Sequence, residues 1–557
     1  VLAALDPHTG NTGALRRLHD DGTPAGPAVV TTDLARSVAE LERAHRPRWL
    51  LAGVAEAYPP LLEAGVRLER CHDLALTEAI LLGHRGRHGE PRGLAAAVAR
   101  LRGLPVPDDA APRKRDTLPT LFEPEHERLP GGVDPLDAVV EVHAEQRRVL
   151  AGLPGADRLR LLVAAESASA LAAAEMSHHG LPWRVDVHEA LLAELLGPRT
   201  PAGVRPRALA ELADRITEAF GGRAVNPDHP PNVVRAFARE GIDLPSARAW
   251  VLKDVDHPAV APLLEYKELS RLWVAHGWSW LDQWVHDGRF RTEYVVAGVV
   301  SGRWATRGGA GLQLPRTLRR AVVADPGWTL VVADAAQLEP RVLAALSGDH
   351  RLAEVSRDTD LYTTLAADAF HGDRARAKVA MLSAMYGGTG GEAGPLMAVL
   401  RRRFPEAVDY VEAAARAGEQ GRMVRSRLGR TSPAPSEAWR ELTGSAADDE
   451  DSARRSRRAA RDWGRFTRNF VVQASAADWT AALLGALRRR LAESAPRAQL
   501  VFFQHDEVMV HCPREDADAV SAQVGAAGEE ASRLVFGGTP VRFPLQTAAV
   551  ACYGDAK

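Results

Sequence analysis

The chain has 557 residues, 46% of them hydrophobic, and its 70 lysines and arginines balance 72 acids to a net charge of −2. So long a chain exceeds one hydrophobic core and is expected to divide into three or four compact units, and its balanced charge excludes a globally basic coat, so any nucleic-acid surface must be local. Three cysteines, Cys71, Cys512 and Cys552, are too few and too unevenly spaced for a disulfide framework or a zinc site. With no run of 18 apolar residues and no signal peptide, the expectation is a cytoplasmic protein that makes no membrane contact.

Residues 1 to about 102 alternate strand-like runs (Val1 to Leu5, Val29 and Val30, Trp49 to Ala52) with helical ones (Leu34 to Ala44, Leu74 to Leu82), which predicts a small α/β unit. Residues 103–135 are rich in proline and charge and read as a linker. From about 136 to 290 the periodicity is helical. His178 and His179 are adjacent on a helix and so point in different directions, which favours a capping or solvated role over a metal pair.

Between Thr329 and Asp349, the apolar run Leu330 to Ala333 reads as a buried strand. Asp334 stands where it ends, and a helical pattern (Leu338, Val342, Leu343, Leu346) follows. A lone aspartate there is ordinarily a helix cap. In Leu500 to Pro513, however, two apolar runs flank His505, Asp506 and Glu507, the pattern of a β-hairpin with carboxylates at its turn. If the hairpin lies beside the first strand, Asp334 and Asp506 face one another. Two carboxylates ~4 Å apart repel by about 4 kcal/mol at an effective dielectric of 20, a cost that divalent cations remove. The pair suggests a two-metal site.

Residues 371–430 carry 11 lysines and arginines against 6 acids. Within them Arg374, Lys378, Leu382 and Tyr386 recur every fourth position, hence on one face of a helix. A second basic stretch, residues 452–479, holds seven arginines behind an acidic patch at Asp448 to Asp451 and is expected to be a mobile insert.

These motifs carry a resemblance. VVADAAQLEPRVLAALSGD (331–349), RARAKVAMLSAMYGG (374–388) and FFQHDEVMV (502–510) resemble motifs A, B and C of the family A DNA polymerases, in that order. The segment around Ser301 to Pro315 resembles the family's T-G-R-L-S-S and L-Q-N-I-P stretches, and Arg465 to Asp478 its R-x-x-x-N-x-x-x-Q segment. The resemblance implies an α+β multidomain, right-hand fold of palm, fingers and thumb behind an N-terminal α/β, ribonuclease-H-like exonuclease-type domain. The implied division is a degenerate 3′–5′ exonuclease-like domain and linker (1–135), thumb and approach to the palm (136–290), first part of the palm (291–350), fingers (351–470) and second part of the palm (471–557). A 5′-nuclease domain is expected to be absent.

The implied activity is template-directed DNA synthesis, in repair or gap filling, by a cytoplasmic, nucleoid-associated monomer whose partners are primer-template DNA and deoxynucleoside triphosphates. Asp334 and Asp506 would hold two Mg²⁺ ions, with Mn²⁺ able to substitute, supported by Glu507 and His505. Arg374 and Lys378 would grip the triphosphate, with Lys378 also serving the leaving pyrophosphate, and Leu382, Tyr386 and His505 would lie near the incoming nucleotide. Glu339 would be the steric gate against ribose. Arg303, Gln313, Arg341, Arg465, Asn469 and Gln473 would contact DNA. The sequence departs from the family at Leu314 (usually asparagine), Leu382 (usually aromatic) and Ala474 (usually glycine). Two alternatives stand beside this reading. A single-subunit RNA polymerase would lack the gate and the motif C glutamate. A catalytically inactive DNA-binding homologue would be expected to lose one of Asp334, Asp506, Arg374 or Lys378.

In the front domain, Asp6-Pro7-His8 stands where the family's exonuclease has Asp-x-Glu, leaving Asp73 and Glu56 as the other candidate ligands. So sparse a set predicts no proofreading.

Overall fold

The computed structural model describes residues 1–8, 11–110, 129–201, 203–309, 311–388, 393–444 and 449–556. Most of the expected linker, and Asp448 of the acidic patch, lie outside the described residues.

β1 (Leu2–Pro7), β2 (Gly13–Leu18), β3 (Val29–Thr31), β4 (Arg48–Leu51) and β5 (Arg70–Asp73) form one sheet in the order β3-β2-β1-β4-β5. The first three pair antiparallel, while β1, β4 and β5 run parallel. Parallel neighbours need crossovers, which the helix Leu34–His45 and the short helices Val54–Ala57 and Pro59–Glu63 supply. The expected α/β unit is therefore present. It extends further than predicted, because the helix Pro135–Gly152, capped by Asp134, lays Leu136, Val139 and Val142 against Ala4, Leu18 and Leu50 of this sheet. This helix lies beyond the boundary expected at 135 and yet packs on the sheet.

A second sheet is wholly antiparallel, in the order Gln499–Gln504, Glu507–Pro513, Trp328–Ala335, Leu545–Val550. Its central strand is buried on both faces. Side chains alternate along a strand, so Leu330 and Val332 enter one core and Val331 and Ala333 the other. That two-sided burial explains the unbroken apolar run. The first of these cores is shared with the amphipathic helices Val185–Leu196, Arg207–Ala219, Pro230–Arg239 and Val260–His276.

The helix Glu450–Ser494 runs without interruption for 45 residues from an Asp449 cap. Its first turns expose Arg454, Arg455, Arg457 and Arg458, and its later turns are buried alanine and leucine. The expected division between 470 and 471 thus falls inside one helix, and the arginine-rich stretch is its opening half rather than a separate insert. The helix is long and apolar enough to cross a membrane, but 89% of the qualifying window is buried within the protein, as in a core helix.

This helix also clamps the N-terminal unit. Buried Arg488 donates to both carboxylate oxygens of Glu175, at 2.9 and 2.6 Å, and to the carbonyls of Leu68 and Glu69. Tyr58 donates to Glu175 at 2.7 Å, and Arg67 approaches the same carboxylate at 3.1 Å. Each buried charge has a hydrogen-bonded partner, the condition under which burial is tolerated.

Candidate active site

Asp334 is the seventh residue of the strand Trp328–Ala335 and lies opposite Glu507 on one side and Gln546 on the other. The hairpin Gln499–Gln504/Glu507–Pro513 closes through a two-residue turn, His505 and Asp506, with His505 at φ +58°. Tight hairpins need positive φ at the first turn position, which is strained for a residue other than glycine. The amide of Ala335 donates to the carbonyl of Asp506 at 3.1 Å. Asp334 and Asp506 are therefore brought to one end of the sheet, and both are half-buried. Glu507 is buried and accepts a hydrogen bond from Tyr553, whose hydroxyl pKa is raised by burial and by that carboxylate.

The strand turns into the helix Leu338–Ser347 through Gln337, in the left-handed region. Glu339, in the first turn, bridges two residues: Arg303 donates to one carboxylate oxygen and Tyr386 to the other. Burial and Glu339 push the Tyr386 hydroxyl upward, against the opposing effects of Arg303 and a hydrogen bond with Gln473. His505 is held below the usual imidazole range by burial and by Arg303, with Glu339 opposing. Arg303, Glu339, Tyr386, Gln473 and His505 thus form one cluster beside the two aspartates.

The helix Arg374–Tyr386 is capped by Asp373 and ends at Gly387, φ +72°. Arg374 donates to Asp360 at 2.9 Å, with its guanidinium over the Tyr362 ring. Lys378, one turn on, is exposed and has no ion-pair partner among the described residues. Leu382 is half-buried against the core, an apolar residue where the family has an aromatic. A Cβ at Gly387 would lie 3.0 Å from Arg465 Cγ, so the glycine lets this helix cross the 45-residue helix closely. On that second helix Arg465 pairs with Asp462, and Asn469 has its Oδ1 buried without a partner. Gln313 is exposed in the short turn Gly311–Gln313, which Gln504 ties to the hairpin by donating to Leu312 at 2.8 Å. Leu314 is buried in the apolar core.

Arg341 requires a correction. Expected at the DNA, it is fully enclosed and donates to the carbonyls of Ala336, Ser356, Asp358, Thr359 and Arg542. Two positions along a helix turn the side chain by about 200°, so Glu339 and Arg341 cannot both face the site.

Sequence reasoning misses three supports. Arg468 is buried, pairs with Glu412 at 2.5 Å and donates to the Ala384 carbonyl at 3.2 Å, joining the two crossing helices. Arg430, also buried, pairs with Glu166 and with Asp478 at 3.3 Å. Tyr553 holds Glu507. Their partners lie far away in sequence, so no local pattern marks them.

No group of three or more histidines, cysteines or acids is arranged as a metal cage among the described residues. The Asp334 and Asp506 oxygens nevertheless suit Mg²⁺, a hard ion commonly held by one or two carboxylates with substrate phosphates and water completing its shell.

In the N-terminal unit Asp6 lies 3.0 Å from His8 Nε2. Asp73 is buried and caps its helix, accepting from Val54 and Leu76 amides at 2.8 Å each, and burial pushes its pKa up to about 6. Glu56 is exposed.

Comparison with known proteins adds three findings. A family model described as DNA polymerase family A matches residues 209–548. DNA polymerase I of Chloroflexus aurantiacus is 28% identical over 435 residues, 68% of this chain and 44% of that protein, and the thermostable DNA polymerase I of Thermus aquaticus is 27% identical over 318 residues, 52% and 35% respectively. The chain spans less than half the length of the curated relatives it matches. The solved POL domain of Pol1 from M. smegmatis, in complex with DNA primer-template and dNTP, has the same fold. Its TM-score is 0.73 at 19% identity, over 100% of this chain and 96% of that one.

Proposed function

This chain belongs to DNA polymerase family A, and from that premise we propose that it extends the 3′ end of a DNA primer on a template, using deoxynucleoside triphosphates. The observation that carries the reading is the meeting of Asp334 and Asp506 across paired strands, beside the Arg303–Glu339–Tyr386 cluster. Asp334 and Asp506 would hold magnesium or manganese, which when bound would acidify the primer 3′-hydroxyl and offset phosphate charge. Glu507 and Tyr553 keep the hairpin in register under those carboxylates.

Lys378 is free to meet an incoming triphosphate. Arg374 is half-exposed and would exchange Asp360 for phosphate oxygens, a charge-assisted contact in either case. Glu339 would act at the sugar edge of the nucleotide, where a ribose 2′-hydroxyl would meet a side chain held from two directions by Arg303 and Tyr386. The division into palm, fingers and thumb belongs to the same proposal, with repair or gap filling as its role and a monomer as the working form.

Proofreading is absent from this reading. Both Asp73 oxygens are occupied by backbone amides, and histidine is a poor Mg²⁺ ligand at position 8. The N-terminal unit is retained as a brace, fastened through Arg488 and Glu175.

The test is primer extension on a recessed template, with deoxynucleotides and ribonucleotides compared. Template-dependent addition of deoxynucleotides alone supports the proposal. Preferential use of ribonucleotides would favour an RNA polymerase, and no addition of either an inactive homologue.

A further inference from the structure

A cavity of about 660 Å³ opens at the end of the N-terminal sheet where β1 and β4 begin, opposite to the Asp6–His8 end. Leu2 and Arg48, partners in the β1–β4 register, form one wall, and the helices Pro135–Gly152 and Ala156–His179 form the other.

Four arginines line it. Arg148 is neutralised by Glu145 and Arg160 by Asp157. Among the described residues Arg48 and Arg147 form no close ion pair, although Asp21 feels the charge of Arg147; each donates to a backbone carbonyl, Arg48 to Cys71 at 3.2 Å and Arg147 to Asp20 at 3.0 Å. Two histidines lie between them. His72 is buried and bonded to Gln146 at 3.1 Å, and His143 stands edge-on to it with ring centroids 4.9 Å apart. His143 is 4% exposed, and its buried Nδ1 has no hydrogen-bond partner. The two lining acids, Asp20 and Asp21, are exposed at the rim, where Asp21 accepts from Thr23.

Arg48 is half-buried and Arg147 exposed, and the group whose burial is costly is the His143 Nδ1 beside them. Burial holds both imidazoles down, His72 to about 4 against the Gln146 hydrogen bond and His143 to about 3 with His72 beside it, and Arg48 and Arg147 add to the effect on each. An anion supplies acceptors to both guanidiniums, which match phosphate oxygens in geometry. The rest of the lining is apolar, Leu150, Val163, Ala144, Ala151 and Ala164. Cations at one side of an apolar pocket of this volume fit a small ligand with a phosphate and a flat organic body.

We propose that this cavity is a nucleoside-phosphate site, separate from the polymerase centre, in which Arg48 and Arg147 take the phosphate and His143 a remaining polar group. The ligand is either a free nucleotide or the 5′-phosphorylated end of a DNA strand.

The experiment titrates the full chain with deoxyadenosine monophosphate by calorimetry, with inorganic phosphate and paired 5′-phosphorylated and 5′-hydroxyl oligonucleotides as competitors. Saturable binding is expected, weakened about 10-fold or more by Arg147→Glu and weakened by His143→Phe, but unchanged by Arg374→Ala at the polymerase site. Primer extension by Arg147→Glu should match the parent, which shows that the variant is folded. Preferential competition by the 5′-phosphorylated strand identifies a strand end, and its failure to compete identifies a free nucleotide. Absence of binding, binding lost in Arg374→Ala but not in Arg147→Glu, or inorganic phosphate binding as tightly as the nucleotide would each overturn the proposal.

Discussion

Arg430 lies directly beneath Gly302: a Cβ built on that glycine would stand 2.5 Å from Arg430 Cζ, and Gly302 has φ +86°. The residue after it is Arg303, which reaches Glu339. A buried arginine held by Glu166 and Asp478 thus sets the backbone that aims a site residue. Gly302→Ala combines a clash with a disfavoured φ and should cost about 1–3 kcal/mol locally, lowering extension by more than 10-fold while the fold persists. Arg430→Met leaves two buried carboxylates without their cation and should destabilise by about 3–5 kcal/mol. Thermal melting and primer extension on both variants check this. Parent-like extension by Gly302→Ala would show that Arg303 does not depend on this support.

Glu339→Ala removes the side chain that Arg303 and Tyr386 hold in place. Ribonucleotide use should rise relative to deoxynucleotide use by about 100-fold, the scale of a lost steric clash. Tyr386→Phe, which frees one carboxylate oxygen without opening the space, should move the ratio less. An unchanged ratio in Glu339→Ala would remove Glu339 from sugar selection.

A mismatched, end-labelled primer incubated with Mg²⁺ or Mn²⁺ and no nucleotides should keep its length. Shortening from the 3′ end that survives Asp506→Asn but disappears with Asp6→Ala would reveal an exonuclease in the N-terminal unit.

The parts legible in the sequence are those whose signal is local. Leu330 to Ala333 reads as a strand because both faces are buried, and the fourfold spacing from Arg374 to Tyr386 reads as a helix face. Strands β2 and β5 escape notice because GALRRL and RCHD are not apolar runs: their buried positions include glycine, cysteine, histidine and aspartate. Arg341 misleads because helical rotation, which carries it to the side opposite Glu339, is invisible in a motif match. Arg430, Arg468 and Arg488 are illegible for another reason. Their partners lie from 48 to more than 400 residues away, and only the folded chain brings them together.

Several imidazoles are buried neutral. His188 is wholly enclosed, accepts from Trp183 Nε1 at Nδ1 and contacts the His276 carbonyl through Nε2; burial depresses its pKa to about 4. In the unfolded chain it binds a proton near pH 6.5, whereas in the fold it does not, so its contribution is present above pH 6.5 and lost as pH falls toward 4. At pH 5.5 one such group costs about 1 kcal/mol. Asp73, raised to about 6, acts in the opposite sense: its contribution is present below about pH 4 and lost as pH rises through 6. Comparing the parent with His188→Gln isolates the imidazole. The parent's melting temperature should fall more steeply between pH 7 and 5 than the variant's. Equal slopes would show that His188 is not buried neutral.

The most direct test of the central claim is single-turnover primer extension by Asp334→Asn and Asp506→Asn, with duplex affinity measured in parallel. Each substitution removes a carboxylate charge from the pair that would hold the metals, while DNA affinity rests on many phosphate contacts elsewhere. The account predicts that extension is lost in both variants by about 1,000-fold or more, a difference of ~4 kcal/mol in the barrier, with duplex binding nearly unchanged. Near-normal extension by either variant would contradict it.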